Sequence, residues 1–171
     1  MNSYCERIQQ VIHRAASGMT REQLEWRPAG KWSAAEIIEH LVLSYTGTTA
    51  GSRRCLESGK PLARISSISD RLRAFVVVNI GYLPSGRQAP ETTKPKGLPG
   101  SEAIDTFNKE LAAMDDAMSS CAQKFGSREK LMNHPIIGPL TVDEWRKFHL
   151  VHARHHAKQI QKLRRSLQGK D

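Results

Sequence analysis

Apolar residues recur at alternating intervals of three and four between residues 102 and 125. The stripe consists of Ile104, Phe107, Leu111, Met114, Met118, Cys121 and Phe125. This spacing places the side chains on one face of an α-helix, and a face of this length is typical of a helix packed in a bundle. The chain is therefore predicted to be all-α, with the stripe in its core rather than at a cofactor site.

Four capping-box patterns predict where other helices begin. The pairs are Ser3 with Glu6, Thr20 with Gln23, Ser33 with Glu36, and Thr141 with Glu144. The helices that follow are predicted over residues 4–16, 21–25, 34–57 and 141–167. Together with the helix over residues 102–125, the long segments suffice for a four-helix bundle.

The middle of the chain gives weaker signals. Residues 69–82 are apolar and include the β-branched run Val76-Val77-Val78, but their length and the lack of a partner strand favour a buried helix. Residues 84–100 contain four prolines and three glycines, which predicts a long loop between the middle helices, of a kind that often lines a site. No repeat divides the sequence, so residues 1–171 are predicted to form a single domain.

The charge of the chain restricts its partners. The formal net charge is +9, and basic residues cluster towards the end of the sequence. They are Arg146, Lys147, Arg154, Lys158, Lys162, Arg164, Arg165 and Lys170, with no acidic residue among them. This cluster favours an anionic partner, and an ordinary solvated helix face is an equal alternative. Nucleic acid is not expected, because few aromatic residues alternate with the basic ones and no nucleic-acid fold signature is recognisable.

The sequence predicts neither a membrane span nor a leader. No stretch approaches the roughly 20 apolar residues of a span, and charged residues interrupt the apolar positions at the start, so a cytoplasmic location is expected. Cys5, Cys55 and Cys121 are far apart and odd in number, which argues against a disulfide framework and favours small core residues. A homodimer is compatible with a bundle, but no residue identifies its interface.

The inward stripe of the last predicted helix carries imidazoles where a core needs apolar groups. It reads Trp145, His149, His152, His156, Gln159 and Leu163. His152 and His156 are four residues apart, so their ring nitrogens can converge on one ion, a spacing common in zinc sites. Consecutive polar residues in a core cost roughly 1–3 kcal/mol each if unpaired, which favours a metal ion over hydrogen-bonded core histidines.

A third ligand is expected from another helix, and His40 is the best candidate. His13 has no neighbouring site residues, and His155 points about 80° away from the pair on a helical wheel. His149 and Gln159 are interpreted as residues that orient a ligand or a water molecule rather than bind the ion.

Several passages are similar to one known family, the DinB-like (DNA-damage-inducible) superfamily. The similar passages are Trp26-Arg27-Pro28, residues 32–41 (WSAAEIIEHL), residues 134–141 (HPIIGPLT) and residues 144–159, which contain H-x-x-H-H-x-x-Q. The histidine pattern after the G-x-L-T turn is the most specific part, whereas residues 51–133 add almost nothing. The H-P-x-x-G-x-L-T turn is closest to an uncharacterised branch.

The resemblance implies a four-helix bundle that holds a divalent zinc or nickel ion with three histidines, which correspond here to His40, His152 and His156. It also implies a metal-dependent transferase that uses a low-molecular-weight thiol such as bacillithiol, mycothiol or glutathione, although many members have no known activity. Three protein ligands leave a coordination position open for water, a thiol or a substrate.

Three functions stay open on the sequence: a thiol S-transferase acting on a small electrophile, a metallohydrolase, and a non-enzymatic bundle that binds an acidic partner. For the transferase, Arg154 and Lys158 are candidates for binding the carboxylates of the thiol, with Arg53 and Arg54 as weaker ones. An exposed surface charge is the commoner role for each of them. His134, in the turn before the last helix, is a candidate acid, base or substrate contact, and capping that turn is the alternative.

Overall fold

Four long helices form most of the computed structural model, which describes residues 1–83 and 88–168. In chain order the first helices are α1 (Ser3–Ala16), the short α2 (Arg21–Glu25) and α3 (Ala34–Ser58); α5 (Gly100–Phe125) and α6 (Val142–Gln168) complete the long ones. The predicted all-α, four-helix bundle is confirmed, and the helix ends lie within a residue or two of expectation. Residues 84–87 of the predicted loop, and Lys170 of the basic cluster, lie outside the described residues.

Short elements connect the long helices. Between α3 and α5 lie α4 (Ile68–Ala74), its π-helical continuation Phe75–Ile80, and a 3-10 turn over Glu91–Thr93. Between α5 and α6 lies an antiparallel hairpin of β1 (Lys130–His134) and β2 (Gly138–Thr141). Among the described residues, no helix combines the length and the apolar character that crossing a bilayer requires.

The capping boxes at Thr20, Ser33 and Thr141 are observed, each with reciprocal hydrogen bonds. The prediction that Ser3 caps α1 is wrong. Asn2 is the cap, and its side-chain oxygen accepts the Tyr4 N–H at 3.0 Å. The Asn2 N–H donates to a carboxylate oxygen of Asp115 at 2.6 Å, so a contact with α5 fixes where α1 begins.

The core lies between α3 and α5 and between α1 and α6. The predicted stripe of α5 is buried except at its ends, Ile104 and Phe125, which are half-buried, and its central members Phe107, Leu111, Met114 and Met118 have no exposed surface. An ion pair between Arg146 and Asp115, 2.9 Å long and almost wholly buried, links α6 to α5. The inward face of α5 thus holds the bundle together with apolar packing and one buried pair.

α6 carries a second stripe that the sequence analysis did not single out. Leu150, Ala153, Ala157 and Ile160 are spaced by three and four residues and are all buried. On a helical wheel this stripe lies about 100° around α6 from the histidines. The two stripes give α6 an apolar face, which belongs to the core, and a separate polar face.

The segment predicted as a buried helix is helical but largely exposed. Asp70, Ala74, Val77 and Val78 are buried, whereas Leu72, Phe75 and Ile80 are more than half exposed. The prediction of burial is wrong because α4 packs against β2 and its continuation against α6, so that one side has no neighbour among the described residues.

The hairpin was not predicted. Gly138, the first residue of β2, has φ +80°, and a Cβ there would lie 2.6 Å from the Asp70 carboxylate, so only glycine fits between β2 and α4. Asp70 is clamped in turn by Arg64 and Arg73, at 2.7 and 3.0 Å. These contacts hold the hairpin and α4 together beside the start of α6.

Candidate metal centre

The antiparallel pairing of α3 and α6 brings three histidines together. His40 lies near the start of α3, opposite His152 and His156 on α6. Thr48, two turns later on α3, forms a hydrogen bond with His149, which comes earlier on α6. The Nε2 atom of His152 lies 3.1 Å from Nε2 of His40 and 2.9 Å from Nε2 of His156. The structure thus places the three predicted ligands in one cluster.

The second ring nitrogens of His40 and His156 define which atoms carry protons. Nδ1 of His40 donates to the carbonyl oxygen of Thr93, and Nδ1 of His156 donates to Oε1 of Gln159, both at 2.8 Å. In a neutral imidazole the other nitrogen then presents a lone pair. Two lone pairs therefore point at His152 Nε2, which can donate a proton to at most one of them with good geometry.

Burial keeps these rings neutral. It lowers the pKa of His40, and it lowers that of His156 to about 3 with a further contribution from His40. Burial also lowers the pKa of His152 well below 6.5, and the neighbouring histidines add to the effect. Neutral imidazole is the form that binds a metal ion.

A divalent ion fits this donor set. The three ligand atoms lie within 4.8 Å of one another. In a tetrahedral zinc site with Zn–N bonds of about 2.0–2.1 Å, the ligand nitrogens lie roughly 3.3 Å apart, close to the two short separations here. A cation between them also removes the repulsion of converging lone pairs. His152 Nδ1 is buried and has no hydrogen-bond partner among the described residues.

A buried carboxylate beside His40 fixes the loop that orients it. Glu39 accepts N–H hydrogen bonds from Lys96, Gly97 and Leu98 at 2.8 to 2.9 Å. These bonds hold the chain that follows Thr93 against α3, so the carbonyl that orients His40 is held in place. The sequence analysis missed Glu39, because three consecutive amide donors in a loop leave no pattern in the sequence.

Two further predicted residues lie on this face of α6. Gln159 bonds both His156 and, through its amide nitrogen, Nε2 of His155 at 3.2 Å. His149 bonds the hydroxyl of Thr48 at 3.0 Å and stacks on Trp145. Gln159 is therefore positioned to orient a ligand, whereas the hydrogen bond of His149 leads away from the cluster towards the middle of α3.

His134 caps its own turn and also lines the cavity above the cluster. Its Nδ1 accepts the N–H groups of Ile136 and Ile137 at 3.1 and 3.3 Å, which leaves the proton on Nε2. Its ring packs against Phe148 with centroids 4.4 Å apart, and burial lowers its pKa to about 4. The turn-capping alternative is thus observed, and the neutral ring of this cavity-lining residue keeps one N–H donor.

The cluster opens into a cavity of about 1780 Å³. The cationic residues on its lining are Lys31, Arg54, Arg73, Lys94 and Lys162. Arg154 and Lys158, the residues predicted to bind a thiol cofactor, are exposed on α6 and do not line this cavity, nor does Arg53. Of the basic residues on α6, only those on the cavity side of the helix, such as Lys162, can reach a ligand at the histidines.

Comparisons with known proteins agree with the fold. A family model described as the DinB superfamily matches residues 4–160. Among solved structures, the chain is similar to YfiT from Bacillus subtilis, described as a probable metal-dependent hydrolase with an unusual four-helix bundle topology. The two are 15% identical with a TM-score of 0.59, over 96% of this chain and 85% of that one, so the likeness concerns the fold. No curated protein matches the chain.

Proposed function

The chain belongs to the DinB superfamily, and from this premise we propose that it is a metal-dependent hydrolase whose divalent ion, zinc in the first instance, is held by His40, His152 and His156. The observation that carries the proposal is the convergence of three neutral imidazoles at the floor of a large open cavity. A structural metal site is normally closed by four protein ligands, whereas three ligands and an open approach are typical of catalysis.

The ion, when bound, would polarise a substrate carbonyl and lower the pKa of a nucleophile in the remaining position. The protein supplies the surroundings. Thr93 and Gln159 hold His40 and His156 with their lone pairs towards the centre. None of the three cysteines lines the cavity, so the chain offers no thiol nucleophile of its own there.

His134 is the residue we assign a catalytic role besides the ligands. Because its Nδ1 accepts two backbone N–H groups, Nε2 carries the proton and can donate to a substrate oxygen that becomes negative. Its low pKa means that it acts as a hydrogen-bond donor rather than as an imidazolium acid. His134→Gln should reduce kcat while leaving the metal content unchanged.

Transfer to a low-molecular-weight thiol is the second candidate. Two observations favour it: the cavity has room for two reactants, and its lining is rich in cations, which would suit an acidic thiol. In this candidate Arg154 and Lys158 contact only a part of the cofactor that extends beyond the cavity onto α6. Zinc and nickel both suit three imidazoles.

The test separates the two candidates by their products. The metal content of the purified protein is measured by elemental analysis, and the protein is then incubated with activated esters and anilides, with and without small thiols. A hydrolase releases acid and leaving group without a thiol; a transferase releases the leaving group and forms a thioester only when thiol is present. His152→Ala should lose metal and activity, whereas His13→Ala, which removes a histidine bonded to Asn108 on α5, should keep both. Metal-loaded wild-type protein that yields neither product would overturn the proposal and favour an inert metal.

A further inference from the structure

The cavity above the metal centre is a groove that follows α3 and α6. Its lining on α3 extends from Glu36 to Arg54, and at 1.5 Å per residue this stretch is about 27 Å long. Along the helix, His40 lies about 6 Å from the Glu36 end and about 21 Å from the Arg54 end. The groove therefore has a short arm and a long arm on the two sides of the histidines.

The short arm carries lysines from two separate segments. Lys31 precedes α3, and Lys162 lies beyond His156 towards the end of α6; because the two helices are antiparallel, both lysines lie at the same end of the groove. Within residues 1–83 and 88–168, neither lysine forms an ion pair. Two uncompensated positive charges thus lie close to the metal centre.

The other charges of the groove do not neutralise these lysines. Glu36, which supplies the carboxylate on the described lining, accepts hydrogen bonds from Arg27 and from the N–H of Ser33. Lys94 is paired with Glu91. The short arm therefore has spare capacity for an anion.

The long arm is open and mostly apolar; the cations on it are Arg73, which is paired with Asp70, and Arg54 at its far end. Leu72 and Val76 line it from the α4 segment, and Ile136 lines it from the hairpin turn. Gly47 lies two turns after His40 on the same face of α3, and a Cβ at Gly47 would meet no atom within 4 Å. Open space therefore begins about 10 Å beyond His40 along the helix.

From this arrangement we propose that the substrate is a long-chain amphiphile with an acidic head group, of which an N-acyl amino acid is the simplest example. The head group binds at Lys31 and Lys162, the amide lies at the histidines, and the acyl chain follows the long arm past Gly47. Hydrolysis breaks the amide C–N bond; water adds its oxygen to the acyl carbon, and a proton passes to the departing amine. The inference rests on the proposed function, since it assigns the substrate class of that site.

Binding of simple probes tests the inference without turnover. The probes are octanoate, laurate, palmitate and the uncharged dodecanol, measured by displacement of an apolar fluorophore from the purified protein. Laurate should bind more tightly than dodecanol, and Lys162→Gln should weaken laurate about tenfold, the loss of one charge-assisted contact, without affecting dodecanol. Arg165→Gln, an exposed charge on the same helix outside the groove, is the matched control and should change neither.

Chain length tests the long arm. Affinity should rise from octanoate to palmitate by up to about fourfold per methylene that enters the groove. Gly47→Leu places a side chain in the open space and also favours the helix. It should weaken palmitate far more than octanoate, and Gly47→Ala should have a much smaller effect.

The outcomes separate this inference from the proposed function. Equal binding of laurate and dodecanol, equal effects of Lys162→Gln and Arg165→Gln, or unchanged palmitate binding in Gly47→Leu would overturn the substrate assignment. Cleavage of small activated esters without amphiphile binding leaves the hydrolase standing and removes the substrate class. Selective amphiphile binding without any cleavage supports the ligand class and overturns the hydrolase.

Discussion

The two inward faces of α6 are buried for different reasons. One face buries Leu150, Ala153 and Ile160, and the neighbouring face buries His149 and His156. The apolar face gains stability from the removal of carbon from water, whereas each imidazole must be desolvated and then paired. The comparison indicates that the apolar face of α6 serves the fold and that the polar face carries the proposed metal centre, so loss of metal and loss of apolar packing should be separable.

Removal of a proposed metal ligand should have the largest effect on the polar face. We expect His152→Ala and His156→Ala to lose stoichiometric metal binding, a larger effect than the roughly 10–100-fold typical of residues that only orient a ligand. The metal-free variants should remain folded, because the apolar face of α6 is unchanged. Elemental analysis and circular dichroism measure the two properties. Full metal occupancy in both variants would remove the histidines from the site.

Acid should lower the free energy of unfolding through the buried histidines of the polar face. Burial lowers the pKa of His149 and His156 from 6.5 to about 3. As the pH falls below about 6.5 the unfolded chain binds protons that the folded chain cannot, so the free energy of unfolding should fall by about 1.4 kcal/mol per pH unit for each histidine, until the pH reaches about 3. Above about pH 6.5 these groups should give no dependence.

Urea unfolding of metal-free protein between neutrality and about pH 4 measures this slope. His149→Leu removes one of the titrating groups, so it should reduce the slope by one proton. A slope that stays unchanged in this variant would show that His149 is not desolvated as the structure indicates.

Truncation of a side chain on the apolar face should lower the stability and leave metal binding unchanged, the opposite of removing a ligand. Ile160 has no exposed surface and lies one turn after His156. We expect Ile160→Ala to lower the free energy of unfolding by about 2–5 kcal/mol, through lost burial and the cavity left behind. Metal stoichiometry at neutral pH should be unchanged. Loss of metal together with stability would mean that the two faces are coupled.

The features that could be predicted from the sequence are those that depend on helical periodicity. The spacing in α5 predicted the core stripe, and the interval between His152 and His156 predicted which rings converge. The hairpin was not predicted, because β1 and β2 are short and because two prolines and a glycine make this part of the sequence resemble a simple turn. The exposure of Leu72 was also not predicted, since hydropathy cannot say whether a neighbouring element covers a side chain.

Contacts between distant segments were equally inaccessible from the sequence. Asn2 displaced Ser3 as the helix cap because its N–H bonds Asp115, more than a hundred residues away. The amide bonds of Glu39 belong to a loop whose path no periodicity defines. A sequence pattern predicts which face of a helix points inward, but the partners of its polar atoms follow from the tertiary fold.

The smallest expected effect concerns a residue that supports the polar face without binding the ion. Gln159 accepts the Nδ1 proton of His156, and this bond keeps the Nε2 lone pair directed at the centre. We expect Gln159→Ala to weaken metal affinity by roughly 10–100-fold while full occupancy is still reached at higher metal concentration, because the ligand remains but its tautomer and orientation are no longer fixed. Competition with a chromophoric chelator measures the affinity, and Gln161→Ala, an exposed glutamine on the same helix, is the control. Equal affinity of the two variants would show that packing alone orients His156.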